Sequence, residues 1–284
     1  MRWLNLVPHL LRNLLITFST YLLITTPSYG QVQTPFKIGV APHTSARVII
    51  EMYQPLRLYL EKTLARPVEI VTASDFTEFA RRGMLNQYDL AITTGHQARL
   101  FESDAGYTPL LTYKADFKAV LLTAKDSRYK TPDDLVGTTV IGLSPSSLVT
   151  IWGTHWLQRN SVKNVNLRYV SASDSVAQLV INGEGSAGMT SLANYQNLQP
   201  ATREKLRILA ESLPLAGRVY MLNKRNQGLQ EKIESALWEF STTPEAQQYF
   251  AKYKLEGYRK LEPRELFLMT PYANEVRMTL KQSR

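Results

Sequence analysis

Between residues 36 and 95 the apolar positions change period four times. "FKIGVAP" (36–42) is a continuous apolar run ending in a loop, the pattern of a buried strand. Val48, Met52, Leu56, Leu60 and Leu64 then recur at every fourth position and form one stripe of a helix, with Ser45 placed as its N-cap. "VEIVTA" (68–73) returns to a strand pattern, and "DFTEFARRGML" (75–85) predicts a short helix capped by Asp75. "YDLAITTG" (88–95) predicts a third strand. Strands alternating with helices imply an α/β fold with a parallel sheet.

A second cycle follows. Strands are expected at 117–125, 138–143, 166–171, 186–191, 206–212 and 217–223. A short helix opens at "TPDDL" with Pro132 in its first turn, and longer ones are expected at 149–160 and 173–183. After 223 only helices are expected, at 229–241, 244–253 and 263–281. The simplest geometry is two α/β lobes, each a mainly parallel sheet flanked by helices. Lobe one takes 31–117 and 224–284, and lobe two takes 118–223, with crossings near 118–125 and 217–224. Ligands of open α/β sheets lie beyond the carboxyl ends of the strands, so the expected site is the cleft between the lobes.

Composition narrows the setting. The chain has 284 residues, 44% of them apolar and 20% charged, which suits a globular protein. It contains no cysteine, so disulfides, thiol catalysis and thiolate metal sites are excluded. Residues 1–30 carry Arg2 and Arg12, an apolar run from 14 to 26 and small residues at Ser28 and Gly30, the layout of a cleavable signal peptide directing the chain to the periplasm. The apolar run is shorter than the ~20 residues of a membrane span. That leader holds two arginines and no acid, leaving about +7 of the +9 net charge on the mature chain. A basic exported protein suits anionic ligands, and no dense Lys/Arg block suggests nucleic acid.

Catalytic patterns are weak. "GEGSAG" (183–188) matches a dinucleotide fingerprint but follows a helix and opens none. "SRYK" (127–130) lacks the companion motifs of a serine acylase. His43 and His96 both fall on strand-to-helix loops, where ordinary loop hydrogen bonding is preferred to a shared metal. No metal and no cofactor is expected. What recurs is a strand ending in a small polar cluster at a helix start: "APHTSAR", "TASDFTEF", "TTGHQAR" and "LSPSSLVT". Each offers free N–H groups and the positive end of a helix dipole to an anion.

These blocks resemble the periplasmic solute-binding proteins of phosphonate, phosphite and phosphate ABC importers, the PhnD-like group. The likeness rests on "FKIGVAP", "YQPLRLYLEKTLARPVEIVTASDFTEF", "YDLAITTGHQARL", "DLVGTTVIGLSPSS" and "VAQLVINGEGSAGMTS". It implies a two-lobed type II periplasmic-binding fold that closes on an oxyanion, held by a run of hydroxyls at a helix start in lobe two. Ser147 falls on that run, but the next two hydroxyl positions are Leu148 and Val149. Many relatives have Tyr where this chain has Phe76, and an acid where it has Gly188. Arg99 replaces a frequent Tyr and either restores anion affinity or lies on the helix surface. Losing hydroxyl donors to a charged partner costs ~1–3 kcal/mol each, and the apolar replacements suggest a ligand with less charge or a larger apolar part.

The expected function is capture of a small phosphonate- or phosphate-like oxyanion by hinge closure and delivery to the membrane subunits of an ABC importer. The expected ligand contacts are His43, Thr44, Phe76, Thr94, His96, Arg99, Ser144, Ser146, Ser147 and Ser171. Phe76 is either an apolar platform or core, and Ser171 and Asp174 are alternatively caps of the helix at Ser173. No catalytic residue is assigned, and a monomer is expected. A ligand-sensing accessory of a membrane sensor kinase and a secreted serine hydrolase are the alternatives.

Overall fold

The computed structural model describes residues 34–282, so the signal-peptide reading lies outside the described residues. Strand β1 (Phe36–Val40) leads into helix α1 (Ala46–Leu64), β2 (Val68–Val71), α2 (Phe76–Met84), β3 (Leu90–Thr94) and α3 (Gly95–Ala105). Met52, Leu56 and Leu60 of the expected stripe are buried, joined by Ile49 and Tyr53. Ser45 caps α1, accepting from the Val48 N–H at 3.4 Å. Asp75 caps α2, accepting from the N–H groups of Thr77 and Glu78 at 2.8 and 2.9 Å. Both caps satisfy first-turn donors that have no partner inside the helix.

A strand that the sequence pattern did not suggest follows: β4 (Tyr107–Tyr113). The chain then enters a second sheet through β5 (Ala119–Ala124), β6 (Thr139–Gly142), α4 (Leu148–Arg159), β7 (Asn166–Tyr169), α5 (Ser173–Ile181), β8 (Ala187–Ser191), α6 (Leu192–Gln196), α7 (Pro200–Arg203) and β9 (Leu206–Glu211). It returns through β10 (Arg218–Asn223), α8 (Gln230–Ser241), α9 (Pro244–Tyr253), β11 (Tyr258–Arg259) and α10 (Thr270–Gln282). The short β11 interrupts the tail expected to be wholly helical.

The two sheets run β11-β4-β10-β3-β1-β2 and β7-β6-β8-β5-β9. Each has a parallel half, β2-β1-β3 in one and β7-β6-β8 in the other. The remaining strands pair antiparallel, which makes both sheets mixed. Strand β10 pairs with β3 and β4, so residues 218–223 belong to the sheet of lobe one and not to lobe two. The lobe crossings therefore fall between Tyr113 and Ala119 and between Glu211 and Arg218. The two crossing segments meet where the Leu215 N–H donates to the Phe117 carbonyl at 2.8 Å. A strand's own residues do not say which sheet it joins, and β10 follows lobe two in sequence.

Behind the sheet of lobe one, five tyrosines converge in its apolar core. The Tyr113 hydroxyl meets those of Tyr220 (2.6 Å), Tyr249 and Tyr53 (3.4 Å), and Tyr220 meets Tyr258 at 2.8 Å. Burial pushes the phenol pKa values of Tyr113, Tyr220 and Tyr249 well above the ordinary range, so the network stays neutral. Helix α10 packs on α2 and α3 and also reaches α4 of lobe two, through a cluster of Ala80, Leu100, Ile151, Ala273 and Val276.

Tyr113→Phe removes the hydroxyl common to three of these bonds and leaves buried oxygens short of a partner. The expected loss is ~1–3 kcal/mol, seen as a fall in Tm of several degrees with the fold retained in circular dichroism.

Candidate functional site

The two lobes meet at the loop before α4. The Thr77 hydroxyl of lobe one donates to Ser146 Oγ at 3.0 Å. The Ser146 carbonyl faces His96 Nε2 at 2.9 Å and Gln97 Nε2 at 3.4 Å, both from the first turn of α3. A carbonyl only accepts, so Nε2 of His96 carries the ring proton and Nδ1 accepts from the Thr94 hydroxyl at 3.1 Å. Gln97 is itself fixed by Thr93 Oγ1 at 3.0 Å and by the Phe76 carbonyl at 2.9 Å. Further along the cleft, Ser173 Oγ at the start of α5 donates to the His43 carbonyl at 3.0 Å.

Three helix starts border this seam without a side-chain cap: α3 after Thr94, α4 after Ser147 and α5 after Ala172. At α4 the Ser147 N–H turns back to the Ser144 carbonyl at 2.9 Å, which holds Ser144 to Ser147 as a tight turn. Ser144 Oγ and His43 Nε2 are both enclosed with no hydrogen-bond partner, an uncommon state for buried polar atoms. His43 donates from Nδ1 to the Ala41 carbonyl at 2.9 Å, which leaves Nε2 as a bare acceptor. Burial, followed by the charge of Arg218, pushes the His43 pKa down to about 3. Burial lowers His96 to about 4 against the opposing pull of the Ser146 carbonyl.

Of the residues anticipated from sequence, His43, Thr94, His96, Ser144, Ser146 and Ser147 lie at this seam. Thr44 is partly buried beside His43 in the β1–α1 loop. Phe76 is 5% exposed and belongs to the apolar core. Ser171 is exposed, and neither it nor Asp174 caps α5. The Arg99 guanidinium points away from the seam: it pairs with Glu102 at 2.8 Å, donates to Thr270 Oγ1 at 3.2 Å and lies over the Phe267 ring. It is a packing residue between α3 and α10.

The apolar departures have structural reasons. Leu148 and Val149 are 1% and 4% exposed, in the cluster that also holds Ala41 and Phe76 of lobe one. Their side chains are core and are not offered to a ligand. Gly188 lies under α5, where an added Cβ would come within 2.5 Å of Val176 Cγ1 and 2.9 Å of Val180 Cγ2. Gly95 is likewise needed where the crossing segment passes, its Cβ position being 2.8 Å from the Ala216 carbonyl oxygen.

Four residues of the seam escaped the sequence reading: Thr77, Gln97, Ser173 and Arg218. Thr77 and Gln97 sit inside the polar clusters quoted above. Arg218 had its own signal, a lone charge heading the apolar run "GRVYMLN" at a lobe crossing.

Two mixed α/β sheets, two crossings and a polar seam define a two-lobed solute-binding fold. Residues 38–266 match the family described as ABC transporter, phosphonate, periplasmic substrate-binding protein, and the chain belongs to that family. Binding proteins of this kind deliver small ligands to the membrane subunits of their transporter. Among solved structures the chain is similar to XAC2383 from Xanthomonas citri bound to chloride ion, with 19% identity over 87% of this chain and 100% of that one, TM-score 0.73. The binding protein component of an ABC phosphonate transporter (PA3383) from Pseudomonas aeruginosa is 14% identical over 88% and 94%, TM-score 0.73. PhnD1 from Prochlorococcus marinus in complex with methylphosphonate is 15% identical over 85% and 98%, TM-score 0.73. No curated protein matches the chain.

Gly188→Asp drives its side chain into Val176 and Val180. It is expected to lower Tm by several degrees, measured by thermal melting. The two histidines give a pH dependence. Their ordinary value is 6.5, so the unfolded chain binds both protons near that pH while the native rings stay neutral down to about 4 for His96 and about 3 for His43. The unfolded state holds more protons in that window, so stability falls as pH drops from about 6.5 toward 4. The contribution is at most ~1.4 kcal/mol per pH unit per histidine. Urea midpoints between pH 7 and 4.5 measure the slope, and His96→Gln should flatten part of it.

Proposed function

We propose that the chain captures a small phosphorus oxyanion between its lobes and presents it to the membrane subunits of an ABC importer. The cross-cleft seam carries this reading: the loop before α4 is gripped from the opposite lobe by Thr77, His96 and Gln97. The grip leaves the first-turn N–H groups of α4 without a side-chain cap. Those N–H groups and Ser144, Ser146 and Ser147 supply donors to an anion, with the helix dipole in support. The solved relative from Prochlorococcus marinus holds methylphosphonate. The first thirty residues act as a cleavable leader to the periplasm, and hinge closure about the two crossings moves lobe two onto lobe one.

A thermal-shift panel of phosphate, phosphite, methylphosphonate and aminoethylphosphonate tests the ligand class. Binding to the native state alone adds about 2.7 kcal/mol at a hundredfold excess over Kd, which corresponds to a rise of roughly 5–10 °C for a chain of this size. Ser147→Ala should reduce the rise. A flat response to every phosphorus oxyanion, with a rise for some other solute, would falsify the oxyanion reading.

A further inference from the structure

Arg218 stands where β10 emerges from the second crossing, paired across the ladder with Thr94. Thr94 is bonded to His96, and His96 to the loop before α4, so Arg218 belongs to the same seam. Its guanidinium is held from below, with Nη1 donating to the Tyr53 hydroxyl at 3.3 Å and the group lying 5.8 Å from the centre of the Tyr113 ring. Among the described residues no carboxylate lies within ion-pair distance of it, whereas Arg57, Arg82, Arg99, Arg225, Arg259 and Arg277 each have one. A largely enclosed charge without a counter-charge is costly unless something supplies one. His43 follows the end of β1, two strands from β10 at the same end of the sheet, and its Nε2 is enclosed and without a donor.

A cation and a lone-pair acceptor at one end of the sheet are together complementary to one chemical group, an acid that is ionised yet retains a proton. We propose that Arg218 and His43 form a hydrogen-oxyanion subsite. In it an ionised oxygen of the solute pairs with the guanidinium, and an O–H of the same group donates to Nε2 of His43. This rests on the proposed function and narrows its ligand to the monoprotonated form of a phosphonate or related phosphorus acid. It also accounts for the missing acid at Gly188, since the acceptor for the ligand proton is an imidazole from the other lobe. A sulfonate of the same shape supplies the charge but no O–H.

Isothermal titration of the purified protein with methylphosphonate and methanesulfonate tests this, alongside Arg218→Met, Arg218→Lys and His43→Leu. Wild type should bind methylphosphonate at least about tenfold more tightly than methanesulfonate, and H43L should erase that preference by weakening methylphosphonate alone. R218M should weaken both by about a hundredfold, while its ligand-free Tm is unchanged or raised, because an uncompensated cation has been removed. If R218M does not fold, R218K keeps the charge without the forked donors, and weaker methylphosphonate binding at unchanged Tm makes the same test. Wild-type binding that survives R218M or R218K undiminished overturns the subsite, as does equal affinity for the two anions. Absence of heat with either anion in wild type instead overturns the oxyanion function on which the subsite depends.

Discussion

The carbonyl of Ser146 is the constraint on which the cleft depends. It is buried in a residue with no exposed surface, and its donors, His96 and Gln97, come from the opposite lobe. A buried carbonyl without a donor is expensive, so a lobe contact that encloses this oxygen has to bring donors to it. The partner side chains are prepared for the task. Thr94 fixes the His96 tautomer, and Thr93 and the Phe76 carbonyl fix the orientation of the Gln97 amide. The fit of one lobe on the other thus rests on neutral hydrogen bonds with defined direction. The apolar cluster with members from both lobes supplies adhesion without direction.

Positions 148 and 149 of the loop carry apolar side chains buried in the core. Polar capacity is kept instead on the lobe-one side of the seam, in Thr77, His43, His96, Gln97 and Arg218. The cleft is accordingly asymmetric: lobe two offers backbone and serine groups, and lobe one offers the imidazoles and the guanidinium.

Much of this was legible in the residues. The caps at Ser45 and Asp75, the stripe of α1 and the alternation of strand and helix came from period and polarity, which are local properties. Strand β4 was not legible because Pro109 argues against a ladder position. In the fold the register shifts there: Tyr220 faces Leu111 and Met221 faces Pro109, so Leu110 is the extra residue of a bulge. Strand β10 was recognised as a strand but given to the wrong lobe, because sheet membership depends on contacts more than a hundred residues apart. For the seam, the clusters "TASDFTEF" and "TTGHQAR" marked two of its loops and gave Thr94 and His96, but not Thr77 or Gln97. Arg99 and His96 stand three residues apart on one helix, yet one packs on α10 and the other crosses the cleft. Only packing decides which face of a short helix looks inward.

The tyrosine network of lobe one has a consequence for how the chain is made. Its members come from α1, β4, β10, α9 and β11, so the hydroxyls cannot satisfy one another until residue 258 has joined residue 53. The sheet of lobe two, by contrast, is built wholly from residues 119–211 and can assemble from contiguous sequence. Contacts of such long sequence separation form late. The first lobe met by any export machinery is therefore an incomplete one, lacking the central strand β10 and the helices that cover it. In a chain arranged this way the N-terminal half of lobe one waits on the C-terminal tail for its last buried partners.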